Sequence, residues 1–230
     1  YFLGAVGDDS MGHFLKDTLH HYGVRTDYLI HDSTQKTGLV LVTNGQDGER
    51  SFEFINAERA DMHFHETHVP EDFESVDLLH IGSISLITGE AVNATRTAIA
   101  RAKEHQVPVS YDPNLRESLW PNLDEARTTI RSVLPDAQIV KLAEEELTFL
   151  TGQTDLDDGA AELLAEYPIR LLAITRGSEG SILYTDHAMA VIDAITVDAI
   201  DTTGAGDAFM SGFLYQCALR DFSFAWSADE

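Results

Sequence analysis

The sequence predicts an α/β fold: a doubly wound, mostly parallel sheet flanked by helices, with a small β-sheet lid. Three observations predict it. Strand-like and helix-like segments alternate along most of the chain. The strand-like runs after Asp72 are short and continuously apolar, as in strands covered by helices on both faces. Two earlier β-rich runs alternate instead, and Asn44-Gly45-Gln46-Asp47-Gly48 splits them like a hairpin turn.

Tyr1 to Val6 reads as the tail of a strand. Ser10 to Tyr22 places Met11, Phe14, Leu15 and Leu19 at helical spacing and stops at Gly23. Thr37 to Thr43 and Arg50 to Ile55 are the hairpin strands. A strand over Val76 to Gly82, a helix over Glu90 to His105, and strands over Val107 to Asp112 and Ala137 to Lys141 follow. Another helix opens around Glu144 to Leu147. Leu171 to Thr175 and Ser181 to Tyr184 are strands, and Ala208 to Arg220 is a helix with Phe209, Phe213 and Cys217 on its apolar face. This pattern assigns 1–23 and 62–230 to a discontinuous α/β core and 24–61 to the β-rich lid. The chain starts at Tyr1 rather than Met and stops at Glu230 soon after a helix, so both ends look cut, as in a piece of a longer protein.

Length and composition fit one substantial globular core: 230 residues, 43% hydrophobic and 23% charged. No run approaches the roughly 20 apolar residues that span a bilayer, and no signal peptide opens the chain. The single cysteine excludes an internal disulfide framework and fits a reducing, cytoplasmic setting. The net charge of −24, with lysines only at 16, 36, 103 and 141, repels nucleic acid and anionic membranes. Such a surface fits a solubility feature or a saline habitat, the first being the preferred reading, and it means that a bound polyphosphate must be held by backbone donors and a divalent cation.

Asp201-Thr202-Thr203-Gly204-Ala205-Gly206-Asp207 carries the most chemistry. Two glycines flank an alanine just ahead of a helix, so backbone N–H groups converge there with the helix dipole behind them. Asp207 in the first turn either caps the helix or takes a proton from a hydroxyl that attacks a phosphoryl group. Asp112-Pro113-Asn114-Leu115-Arg116 follows a strand, at the sheet edge where open parallel sheets bind ligands. There Asp112 can accept from a hydroxyl, while Asn114 and Arg116 can donate to hydroxyl and phosphate, unless the segment is only an Asp-Pro turn. Thr175-Arg176-Gly177-Ser178-Glu179-Gly180 joins two strands with glycines that allow close backbone approach, or ordinary turn geometry. His63, His65 and His68 lie in an acidic loop-like run and read as solvated histidines rather than a zinc site.

The Asp201 to Asp207 string resembles the signature of the ribokinase-like (PfkB) carbohydrate kinases, and the resemblance extends over essentially the whole chain. Gly4-Ala5-Val6-Gly7-Asp8-Asp9-Ser10-Met11-Gly12 is similar to the family's N-terminal signature. Asp112 to Pro121, through Leu119-Trp120-Pro121, and Ile81 to Leu86 look like the fructokinase branch. The resemblance implies ATP-dependent phosphorylation of a primary sugar hydroxyl, fructose to fructose 6-phosphate. It makes Asp207 the base and Gly204, Ala205 and Gly206 the anion hole. It puts Asp112, Asn114 and Arg116 at the sugar, and Lys141, Thr175, Gly177, Ser178, Gly180, Thr203 and Gly206 at the nucleotide. Glu146 would organise the water on Mg²⁺, and Asp201 and Thr203 would form part of a K⁺ site. Ala143 stands where the family carries Asn in its Asn-x-x-Glu segment.

Ribokinase, nucleoside kinase and 2-keto-3-deoxygluconate kinase are the enzymatic alternatives; the last acts on an acid and needs an extra lid cation. Arg59 is the only cation in Phe52 to Asp61 and does not align with that role, which favours a neutral sugar. A nucleotide- or sugar-binding module without turnover is the non-enzymatic alternative. The expected partners are the sugar and ATP, with no nucleic acid or membrane, and a second copy paired through the lid near Thr37 to Ile55.

Overall fold

The structure is a computed structural model that describes residues 1–44, 50–55, 58–197 and 201–222. It divides into two compact units: Tyr1–Ser75 with Ser85–His105, and Val76–Ile84 with Gln106–Glu230.

In the first unit, β1 (Leu3–Gly7) runs into α1 (Ser10–His21) and returns as β2 (Tyr28–Asp32), parallel to β1 with Val6 opposite His31. The turn between β1 and α1 is built around Asp9. Its Oδ1 accepts from the N–H groups of Met11 and Gly12, capping the helix, and from the Thr37 hydroxyl at 2.8 Å. Its Oδ2 accepts from the Thr37 N–H at 3.0 Å. These donors hold the Asp9 carboxyl at a pKa of about 2, the Thr37 backbone N–H contributing most. A Cβ on Gly12 would fall 2.0 Å from the Gly7 carbonyl, so the glycine spacing lets α1 start hard against β1.

β3 (Val40–Asn44) and β4 (Arg50–Phe54) form the expected antiparallel pair, with Val40 opposite Phe54. The Asn-Gly turn expected at 45–48 lies outside the described residues. Tyr28–Asp32, which falls within the predicted lid span of 24–61, pairs with β1 rather than with this hairpin. α2 (Ala91–Glu104) buries a small-residue face of Ala91, Ala94, Ala98 and Ala102 with Ile99.

The second unit is a six-stranded sheet. Its chain order is β5 (Leu79–Ile81), β6 (Val109–Tyr111), α3 (Leu123–Arg131), β7 (Ile139–Ala143), α4 (Glu144–Thr151), α5 (Leu156–Glu166), β8 (Leu171–Thr175), β9 (Ser181–Tyr184), β10 (Met189–Ile192) and α6 (Ala205–Ala218). The strands lie in the order β10-β9-β8-β7-β6-β5. β5 to β8 are parallel, and β9 and β10 continue antiparallel. This is the α/β, mostly parallel sheet that the sequence predicts. The continuous apolar runs become its floor: Ile139, Leu171 and Ala173 pack with Met210, Phe213 and Cys217 of α6. Burial pushes the Cys217 thiol up to about 11, so it is an inert core group.

One boundary differs in a way that matters for the site. The helix expected to begin at Ala208 begins at Ala205. Gly204 is its cap, at φ 79° in the left-handed region that glycine adopts without strain. Ala205 and Gly206 therefore share the first helical turn with Asp207 instead of forming a loop before it.

Candidate active site

All four parallel strands, β5 to β8, present their carboxyl ends at one edge, and predicted site residues follow the ends of β6, β7 and β8. Gly82-Ser83 follows β5, Asp112 to Arg116 follows β6, Glu146 lies in the first turn of α4 after β7, and Arg176 to Gly180 follows β8. Polar side chains brace the ends against one another. The Ser83 hydroxyl, fully buried, donates to the Pro113 carbonyl at 2.5 Å. Glu146 Oε1 accepts from the Leu115 N–H at 2.6 Å, and Oε2 from the Ala143 N–H at 2.7 Å. Burial raises the Glu146 pKa above the ordinary carboxylate range, against these two backbone donors and Lys141.

Beside this brace lies a buried ion pair. Lys141 Nζ is 3.3 Å from Asp112 Oδ1, with both side chains only about one-twentieth exposed, at 6% and 5%. Burial raises the Asp112 pKa; Lys141 opposes the shift and the charge of Asp207 adds to it. A Cβ on Gly206 would stand 3.3 Å from the same Lys141 Nζ. The lysine thus reaches under the first turn of α6, and Gly206 leaves room for it.

Asp207 is exposed in that turn, and its charge is felt at Asp112 and at His80. The geometry of a helix start leaves the N–H groups of its first turn without intrahelical acceptors, which is the property an anion hole uses. Of the three expected donors, the Ala205 N–H is engaged with the Thr202 carbonyl at 3.1 Å. Asp201 Oδ1 accepts from the Thr203 N–H at 2.8 Å, which fixes the approach to Gly204.

Asn114 and Arg116 meet each other. Asn114 sits at φ 51°, and Arg116 Nη1 donates to its side-chain oxygen and to the Leu115 carbonyl at 3.2 Å. Across the sheet, Thr175 Oγ1 is 3.5 Å from the Leu142 carbonyl, and Gly177 and Ser178 are exposed. Gly180 has a local packing role. A Cβ there would fall 2.0 Å from the Ile192 carbonyl, and its φ is 87°.

Sequence reasoning missed His80. It occupies the middle of β5, where the pattern Leu79-His80-Ile81 puts a polar residue inside an apolar run, and that interruption was the available signal. Its Nδ1 pairs with Ser110 Oγ at 3.1 Å. Desolvation by the surrounding protein lowers its pKa, and Asp207 opposes that shift. His63, His65 and His68 lie in the first unit: His63 pairs with Glu58, while His65 bonds with Thr67 and, through its N–H, with His68.

Comparisons with known proteins bear on the family and the fold. The pfkB family carbohydrate kinase pattern matches residues 1–221. "Probable fructokinase-6, chloroplastic" of Arabidopsis thaliana is 41% identical over 219 residues, 94% of this chain and 57% of that protein. The chain thus spans less than two thirds of that relative's length. The fructokinase of Vibrio cholerae O395, solved with fructose, ADP and calcium ion, superposes with a TM-score of 0.86 at 37% identity, covering 94% of this chain and 70% of that one. A fructokinase from Xylella fastidiosa with bound ATP gives a TM-score of 0.86 at 33% identity, covering 95% and 68%. The chain shares the ribokinase-like fold of these enzymes, and it belongs to the pfkB family of carbohydrate kinases.

Proposed function

We propose that the protein carrying this chain transfers the γ-phosphoryl group of ATP to a primary hydroxyl of fructose, giving fructose 6-phosphate. The observation that carries the reading is the placement of Asp207. It stands in the first turn of α6, one residue beyond the Gly206 that covers Lys141, and its charge reaches Asp112. A carboxylate at a helix N-terminus built for an anion suits proton removal from the attacking hydroxyl. Gly204 and Gly206, with the N–H groups of that turn, stabilise charge on the transferring group. Asp112, held by Lys141, together with Asn114 and Arg116, positions the sugar. Thr175, Gly177, Ser178, Gly180 and Thr203 line the nucleotide side.

A hard divalent cation suits this edge by charge. The carboxylates of Asp112, Glu146 and Asp207 stand along it, and the one ammonium among them, of Lys141, is already paired with Asp112, so phosphate charge is left for such an ion to meet. Glu146 would hold Mg²⁺ through water, and the ion would neutralise phosphate charge. Asp201 and the Thr203 carbonyl offer oxygen ligands suited to part of a K⁺ site. Spectrophotometric ATP turnover with fructose, ribose, 2-keto-3-deoxygluconate and adenosine tests the reading; no turnover of fructose overturns the substrate choice. ATP binding without turnover of any of the four would instead favour a binding module.

A neutral sugar is favoured over 2-keto-3-deoxygluconate by Arg59. Its Nε lies 2.9 Å from both oxygens of Asp61, so its charge is already matched. A homodimer is our second proposal. Leu39, Val40, Leu41, Val42 and Ile55 are 41–53% exposed along β3 and at the end of β4, an apolar strand ready to pair with a copy of itself. A cytoplasmic setting goes with a buried, unpaired Cys217, and cell fractionation tests it. Among the described residues no helix is long and apolar enough to cross a membrane.

A further inference from the structure

Asp8, His13 and His31, none of them given a role in the proposed reaction, bring one carboxylate and two imidazoles together in the first unit. One ligand atom of each lies within 4.8 Å of the other two. The three come from consecutive elements. Asp8 immediately follows β1, and its N–H donates to the Asp32 carbonyl at 2.7 Å, which fixes its backbone against the end of β2. His13 is in the first turns of α1, with its ring stacked over that of His31 at a centroid separation of 5.0 Å. His31 is on β2, opposite Val6 of β1.

A proton alone does not satisfy this cluster. His13 Nε2 and Asp8 Oδ1 are 3.0 Å apart and can share one. His31 is different: both its ring nitrogens are shielded from solvent, and neither has a hydrogen-bond partner among the described residues. Shielded ring nitrogens with nothing to donate to or accept from carry a desolvation cost that native structures rarely leave unmet. A metal ion between the three groups would satisfy the carboxylate, His13 and one His31 nitrogen together.

We propose that Asp8, His13 and His31 form a binding site for a borderline transition-metal ion, Zn²⁺ in particular. Two imidazole nitrogens and one carboxylate oxygen suit Zn²⁺ and its Co²⁺ surrogate, while Mg²⁺ and Ca²⁺ prefer all-oxygen ligands. At metal–ligand distances of about 2.0–2.1 Å, tetrahedral ligands stand about 3.3 Å apart. The present separations, none above 4.8 Å, leave at most about 1.5 Å to close to that spacing, and two of the three side chains are exposed. The fourth position faces solvent and takes water. The ion ties β1, α1 and β2 to one another, so its occupancy is a stability device for this unit.

Calorimetric titration of chelator-treated protein with Zn²⁺, in millimolar Mg²⁺ to occupy the acidic surface, tests the site. Repeating it with Co²⁺ adds a ligand-field absorption spectrum that reports the coordination number and geometry of the bound ion. The expected result is one equivalent of Zn²⁺, a raised melting temperature, and a Co²⁺ spectrum of low coordination number. His13→Ala changes an exposed helix position and keeps the fold. It should weaken binding by at least about 100-fold, since even outer-shell losses typically cost about 10–100-fold. His31→Gln and Asp8→Asn should do the same. The proposal is overturned if wild-type protein shows no stoichiometric Zn²⁺ binding, if Mg²⁺ abolishes it, or if it survives in His13→Ala.

Discussion

Lys141 Nζ lies 3.3 Å from Asp112 Oδ1, and the two side chains are almost fully buried. They follow one another across neighbouring strands: Asp112 comes just after β6, and Lys141 sits within β7. A buried pair of this kind contributes little by existing, because desolvation offsets attraction, but losing one partner strands the other charge. Lys141→Met should therefore destabilise the protein by about 3 kcal/mol, read by urea unfolding. The double variant Lys141→Met/Asp112→Asn should recover part of that loss. If the double variant is no better than the sum of the singles, the two residues are not energetically coupled.

Asp207→Asn keeps the shape and hydrogen-bonding reach of the side chain but cannot take a proton. Removing a general base typically costs about 10²–10⁴-fold in rate, so kcat should fall by that much while ATP affinity stays within about twofold. Steady-state kinetics alongside equilibrium nucleotide binding separates the two effects. Near-normal kcat in this variant would remove Asp207 from the role of base.

Gly206→Ala tests the space over Lys141. The new methyl would stand 3.3 Å from Nζ, closer than most Cβ contacts, and the lysine is held by Asp112 and cannot simply swing away. A small displacement of the α6 start should lower kcat roughly tenfold, with a melting temperature close to wild type, because sub-ångström misplacement at a reacting centre is costly. An unchanged kcat would show that the turn accommodates the methyl without moving.

Acid should act on the first unit through Asp9. Its folded pKa is held at about 2 against an ordinary 3.8, so the ionised carboxylate is favoured by folding. That stabilisation is fully present above about pH 4 and disappears as the pH falls through about 2. Asp9→Ala should cost about 1–2 kcal/mol at neutral pH, from the lost cap and the lost tie to Thr37. The gap in melting temperature between variant and wild type should narrow below pH 4, in differential scanning calorimetry from pH 7 to 2. A gap that stays constant over that range would contradict the assignment.

Leu41→Lys introduces a charge at a 53% exposed position of β3. In a dimer paired along this strand it should shift sedimentation toward monomer at micromolar concentration, with little change in monomer stability. A sedimentation coefficient unchanged from wild type excludes β3 as the pairing edge.

The sheet was legible because its strands are the simplest kind of signal. Leu171 to Thr175 and Ser181 to Tyr184 stand at the predicted limits, since continuous burial demands continuous apolar sequence. Boundaries set by backbone rather than side chains were less visible. Gly204 caps α6 in a left-handed conformation, so the helix absorbs an Ala-Gly pair that composition alone assigns to a loop. α3 gave little pattern because only Ala126 and Ile130 are buried among its nine residues. At the site, Asp112 and Asp207 could be named from sequence. Their coupling through Lys141 and Gly206 could not, because residues 29 positions apart meet only once the parallel strands are in register. His80 needed the same register to reach Ser110.

Glu146 spends its two oxygens on main-chain N–H groups, those of Ala143 and Leu115. The partner it requires at position 143 is an amide that nineteen of the twenty amino acids supply. Ala143 therefore serves this brace as fully as a larger or polar residue would. The loop that carries Asp112 to Arg116 thus stays anchored with any residue but proline at position 143, and that position can change without loosening it.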